Sequence, residues 1–171
     1  MKKLPLSALI FSFVILIVAC QKKEDTSAQT SIRNGVIDST SLLSNDQKND
    51  LEGLIQKLEN ETGSQVAIVI IDTLGGKNIK EVSLTVAENL NLGREKYRDG
   101  LLIFVVYKDR KVRIEIGYGL ERVIGNETAS RIIKEKMAPK FKEENYYEGL
   151  LSAVKEISEL IKTNKQFIGE P

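Results

Sequence analysis

The side chains best placed to do chemistry are two carboxylates, Asp99 and Glu121, on either side of a stretch that reads as a β-hairpin. Leu101 to Tyr107 is a nearly unbroken apolar run, which predicts a strand buried on both faces. Val112, Ile114 and Ile116 alternate with Arg113 and Glu115, which predicts a strand with one apolar and one wet face, near a sheet edge. A two-residue turn at Asp109-Arg110 would set Lys108 against Lys111 and Ile103 against Ile116. At the open end it would set Gly100 against Gly119 and Asp99 against Leu120. Asp99 and Glu121 then arrive at one rim, where Gly100, Gly117 and Gly119 remove side chains and allow a tight turn or a close approach by a ligand. Two carboxylates on an open backbone rim suit a hard cation bound through oxygen, Ca²⁺ or Mg²⁺.

Composition narrows the alternatives. The 171 residues contain no histidine and one cysteine, Cys20. That excludes Ser-His-Asp and Cys-His catalysis, zinc sites of the usual kind, disulfides within the chain and thiol redox chemistry. Carboxylates, hydroxyls, Lys, Arg and Tyr remain. The length suggests one domain, and 42% apolar with 29% charged residues is ordinary for a globular protein. Setting aside Lys2 and Lys3 leaves 23 bases against 24 acids from Cys20 onward, a net charge of −1. Such a balance gives no basic patch for nucleic acid. Gly117-Tyr118-Gly119 is no nucleotide-cofactor fingerprint, because Arg122 stands where a glycine is needed and the preceding strand belongs to a hairpin. No Walker loop is present.

Four stretches together are similar to the TPM domain family of bacterial envelope and plastid proteins. They are Val36-Ile37-Asp38 with Leu43-Ser44, Glu61-Thr62-Gly63-Ser64-Gln65-Val66, Arg98-Asp99-Gly100-Leu101-Leu102, and Arg113-Ile114-Glu115-Ile116-Gly117-Tyr118-Gly119-Leu120-Glu121. The resemblance runs from about Gly35 to about Ile161. It implies divalent-cation binding at acidic positions matching Asp38 and Asp99. Relatives often carry an acid where this chain has Asn126, which would be a neutral oxygen ligand here, with Glu127 beside it to compensate. Some relatives have been described as acid phosphatases.

The remaining elements must position these groups. Lys2-Lys3 and the apolar run from Leu9 to Ala19 have the form of a signal peptide, residues 1–19. Ile17-Val18-Ala19-Cys20 resembles the lipobox of bacterial lipoproteins, in which the cysteine is diacylated and becomes the N-terminus; the alternative is a small uncleaved anchor. Residues 20–34 are polar and aperiodic, a tether. The TPM domain is then residues 35–165, an envelope domain outside the cytoplasm held to the membrane through lipidated Cys20. Within it, Val36 to Asp38 reads as a short strand or an extended entry. Ser44 with Gln47 is a capping box for a helix whose Leu51, Leu54, Ile55 and Leu58 face inward. Val66 to Ile71 is a buried strand, most simply parallel and central. Ile79, Val82, Val86 and Leu90 mark a second helix ended by Gly93, and a third runs from about Asn126 to a break at Pro139. The last helix begins near Tyr146. The pattern predicts a three-layer α/β/α sandwich with a mostly parallel sheet and one antiparallel edge hairpin. A parallel arrangement would put Asp72 at the opposite end of the sheet from Asp99, so Asp72 is set aside.

Three functions are consistent with this reading. The first is a divalent-cation-binding envelope domain serving an unidentified envelope protein as an accessory or assembly factor, with Asp38, Asp99, Glu121 and Asn126 as metal ligands. The second is a metal-dependent acid phosphatase. The third is a metal-free interaction module.

Overall fold

The computed structural model describes residues 35–169. The signal peptide, Cys20 and the tether lie outside the described residues. Four strands form one sheet in the order β1 (Gly35–Asp38), β2 (Gln65–Ile71), β3 (Gly100–Val106) and β4 (Lys111–Ile116). The first three are parallel, and β4 pairs antiparallel with β3. The apolar runs in β2 and β3 follow from their central places, because both faces of a parallel sheet are covered by the helices that return the chain.

Helix α1 (Asn45–Thr62) starts at the expected capping box. Ser44 Oγ accepts from Gln47 N–H at 3.2 Å, and Gln47 Oε1 accepts from Ser44 N–H at 2.9 Å. It stops at Gly63, whose φ of 81° is left-handed. Helix α2 (Ile79–Asn89) packs alone on one face, closing a small core around Val69, Leu102 and Phe104. The opposite face carries α1, α3 (Asn126–Ile132), α4 (Ala138–Lys142) and α5 (Tyr146–Thr163), around a larger core centred on Ile68, Ile103 and Leu150. The Tyr147 hydroxyl donates to Asp50 Oδ2, tying α5 to α1, and its own pKa is pushed up to about 12, first by that hydrogen bond. The α/β/α sandwich with a mostly parallel sheet and one antiparallel edge hairpin is therefore the architecture.

Three local expectations are corrected. The hairpin register is displaced by two residues: Ile103 faces Ile114, and Val106 faces Lys111. The cause lies in β2. Tyr107 N–H donates to Ile71 O at 2.9 Å and Lys108 N–H to Asp72 O at 2.8 Å, so the first strand keeps hold of its parallel neighbour past Val106. The turn becomes Tyr107–Arg110, with Arg110 at φ 51° and its N–H bonded to Tyr107 O. A displacement of two preserves the faces, so Val112, Ile114 and Ile116 still point into the larger core.

The second correction concerns the supposed wet face. Helix α2 covers it: Glu115 is 11% exposed, takes a 2.5 Å hydrogen bond from the buried Ser83 hydroxyl and is paired with Arg113. The third concerns Pro139, which does not end a helix. A π-helical turn, Ile133–Met137, precedes it and Pro139 sits in the first turn of α4, where its missing N–H is tolerated.

Candidate functional site

Asp99 closes the loop that leads from α2 into β3. Its Oδ1 accepts from Arg94 N–H at 2.9 Å, and its Oδ2 accepts from Arg94 Nε at 2.9 Å and Nη2 at 2.5 Å. Ser64 Oγ adds a 3.3 Å bond from the start of β2. Arg94 Nη2 also reaches Thr62 O at 3.3 Å, and its guanidinium carbon lies 4.0 Å from the Tyr97 ring centroid. Asp99 is 0% exposed. A buried carboxylate that takes two guanidinium N–H groups on one oxygen and a backbone N–H on the other is satisfied as it stands. It fixes the loop to the starts of β2 and β3.

The glycine rim also serves the chain itself. A Cβ at Gly119 would lie 1.7 Å from Tyr97 O, one at Gly117 2.3 Å from Arg98 O, and one at Gly100 2.4 Å from Leu92 O. Gly117 N–H donates to Gly100 O at 2.8 Å and Gly119 N–H to Arg98 O at 3.0 Å, so Gly100 faces Gly117, two residues from the expected partner. The far side of Gly119 is occupied as well: its carbonyl accepts from Gly169 N–H at 3.0 Å, at the C-terminal end of the described chain. The glycines are there for backbone-on-backbone packing.

Beyond this rim lies an open groove of about 1580 Å³ between α2 and β4. Glu121, at the end of a 3₁₀ turn (Tyr118–Leu120), and Asn126, the first residue of α3, both line it and are both exposed. Glu95 and Arg98 border the same end, and Tyr118 stands 71% exposed with the Arg98 guanidinium carbon 5.8 Å from its ring centroid. Asp99 is not part of the groove wall; Arg94 is.

Asp38 lies elsewhere. It pairs with Ile70, five residues along β2 from Gln65, which pairs with Gly100. At about 3.3 Å per residue that is about 17 Å of strand, so Asp38 sits at the opposite end of the sheet from Asp99. Its Oδ1 accepts from Thr40 N–H at 2.9 Å and Thr40 Oγ1 at 2.6 Å, and its Oδ2 from Leu43 N–H at 2.9 Å. Burial works to raise its pKa, but the Thr40 hydroxyl, the two backbone donors and Lys48 together hold it below the ordinary value. One ion cannot take all four acidic or amide positions: Glu121 and Asn126 share a groove, Asp99 is behind its wall, and Asp38 is remote. Among the described residues no group of three or more acidic, histidine or cysteine side chains is gathered as a metal cage.

Arg94, which nothing in the sequence alone singled out above, is the residue that holds Asp99. Its signal was the acid before a tight glycine five residues on, since a buried aspartate needs a cation within reach. Glu88 and Glu95, also on the groove, carry no comparable signal.

The TPM domain family model matches residues 36–160. No curated protein matches the chain. Among solved structures, the N-terminal domain of a protein from P. gingivalis is 31% identical, with a TM-score of 0.73 over 81% of this chain and 89% of that one. BA42 from the psychrophilic bacterium Bizionia argentinensis is 16% identical, with a TM-score of 0.64 over 76% of this chain and 86% of that one. The N-terminal domain of cg2496 from Corynebacterium glutamicum is 10% identical, with a TM-score of 0.58 over 74% and 78%. The latter two share the fold.

Proposed function

The chain belongs to the TPM domain family, and on that basis we propose that it is a cell-envelope accessory domain, lipid-anchored through Cys20, that binds a divalent cation of the Ca²⁺ or Mg²⁺ class at the loop end of its groove. Glu121 supplies the charged oxygen and Asn126 the neutral one. Asp99 acts behind them by holding the rim, and Asp38 by shaping the loop at the other end of the sheet. The observation that carries this reading is that Glu121 and Asn126, from two different elements, are exposed and line the same groove. Hard cations of this class take carboxylate, amide and backbone oxygens and complete their shell with water. Two side-chain ligands imply a weak site, one that a partner's own oxygens would tighten. The anchor rests on the leader of 19 residues and the lipobox-like Ile17-Val18-Ala19-Cys20. Two or more acyl chains give stable attachment where one gives only marginal binding.

Isothermal titration of the detergent-solubilised chain with Ca²⁺ tests the cation. Heat of binding that disappears in Glu121→Ala is expected. Heat no greater than dilution into buffer, or heat unchanged in Glu121→Ala, overturns the site.

A further inference from the structure

The cation site uses only the loop end of the groove; along its length the groove runs beside β4 at Ile114, Glu115 and Ile116. Ile114 and Ile116 border the groove. Yet Ile114 is only 6% exposed, and both pack into the larger core on the other face of the sheet. The Ile114 side chain is taken up by that core, so its main chain borders the groove. The register says which atoms. Gly117 bonds to Gly100 and Gly119 to Arg98, and antiparallel pairs alternate between bonded and non-bonded. The pairing runs without a bulge from Leu101 facing Ile116 to Val106 facing Lys111. Lys111, Arg113 and Glu115 thus bond inward to β3. The N–H and C=O groups of Val112, Ile114 and Ile116 face outward. β4 ends the sheet, and among the described residues no other element's backbone bonds to those three. The facing wall is one side of α2, with Lys80, Leu84, Ala87 and Glu88, and Leu84 is exposed.

We propose that an extended segment of a partner protein adds to β4 as a fifth strand, lying between β4 and α2. A row of outward N–H and C=O groups repeating every second residue, about 6.8 Å apart, is matched along its length by another extended backbone. A compact ion or a helix does not supply that repeat. Charge indicates the kind of segment. At the loop end Glu88, Glu95 and Glu121 line the groove and form no ion pair among the described residues. Of the bases that line the groove, Arg94 is committed to Asp99 and Lys80 lies at the far end of α2 from Glu88, which leaves Arg98 at this end. A strand carrying a basic residue at the end that reaches Tyr118 fits this mouth, and its apolar side chains on one face would meet Leu84 and Ala87. The cation site shares Glu121 with this mouth but none of the outward N–H and C=O groups of β4, so loss of the calcium heat and loss of protection at those amides are separate outcomes.

The test uses the full chain in detergent micelles and a capped octapeptide of alternating threonine and valine with a lysine at one end. Amide exchange is expected to slow at Val112, Ile114 and Ile116 on adding the peptide, with β2 and β3 unchanged. Two N-methylated versions sharpen the result, one methylated on every valine and one on every threonine. A strand presents only one of these sets to β4. One version should bind like the parent and the other at least about tenfold more weakly, having lost two or three hydrogen bonds. Ile114→Pro removes an outward N–H without touching the β3 ladder and should likewise lose the peptide. If that variant does not fold, the methylated pair still decides, since it leaves the protein unaltered. No protection at the three amides, or equal binding by both methylated peptides, overturns the proposal. So does slow exchange in the protein alone with a doubled mass in sedimentation, which would mean a second copy occupies the edge.

Discussion

The Asp99 carboxylate is clasped by Arg94 at two points, Nη2 at 2.5 Å and Nε at 2.9 Å, on a loop where Asp99 itself is fully buried. The consequence is asymmetric. Arg94→Ala leaves a buried charge with only Ser64 Oγ and the Arg94 position's own N–H to hold it. Loss of one partner of a fully buried pair costs about 3–5 kcal/mol, and the Arg94 side chain is 37% exposed, so about 2–3 kcal/mol is expected here. Urea unfolding of Arg94→Ala measures it. Adding Asp99→Asn should recover part of the loss, because the uncompensated charge is gone. A loss below about 0.5 kcal/mol in Arg94→Ala would mean that the clasp is not what holds this rim.

Two glycine substitutions should differ in sign. Gly119→Ala places a Cβ 1.7 Å from Tyr97 O, which neither backbone can absorb without opening the rim. About 2–3 kcal/mol of destabilisation, or failure to fold, is expected. Gly53 lies in the exposed middle of α1, with nothing within 4 Å of a Cβ. Gly53→Ala should stabilise by about 0.5–1 kcal/mol through helix propensity. Thermal melts of the two variants side by side check the contrast.

The order of elements, the capping box at Ser44 and the central place of β2 were all legible in apolar periodicity and cap chemistry. The hairpin register was not. A hairpin taken alone favours the shortest turn, but here β2 keeps bonding to Tyr107 and Lys108 and so sets where the turn can begin. Strand β4 misled for a similar reason. Alternating charge usually marks solvent, and Arg113 with Glu115 satisfy each other and Ser83 beneath α2 instead. At the site, the hairpin pattern singled out Glu121 and the family resemblance Asn126, and the arrangement of strands separates Asp38 from Asp99 by the length of the sheet. Asp99 ahead of Gly100 hints at a buried acid in need of a cation, but no local pattern says that Arg94, five residues before it, supplies that cation.

Asp38 should leave an acid-side signature. Three hydrogen bonds and Lys48 hold its pKa below the ordinary 3.8, against the opposing pull of burial. A carboxylate with a lowered native pKa adds stability that is fully present above its unfolded value and fades as pH falls through the native one. Asp38→Asn should therefore be less stable than the parent chain at pH 7. The gap should narrow as pH drops below about 3.8. Unfolding free energies from urea titrations across that range check it. A gap that stays constant down to the acid transition would show that the Asp38 interactions do not depend on its charge.

Asn126→Asp offers the most direct gain-of-function test of the groove. The substitution adds a second carboxylate to the groove that Glu121 lines, at the first residue of α3. Affinity for Ca²⁺ rises with ligand charge, and about tenfold tighter binding is expected by calorimetry. A negative charge at a helix start also stabilises the helix without any metal, by about 0.3–1 kcal/mol. The metal effect is therefore read as the difference between melts with Ca²⁺ and with chelator, in the variant and in the parent chain. Cation-dependent stabilisation that grows in Asn126→Asp and is absent from Glu121→Ala/Asn126→Asp would fix both ligands. An unchanged affinity in Asn126→Asp would remove Asn126 from the site and leave Glu121 as an acid of the groove wall alone.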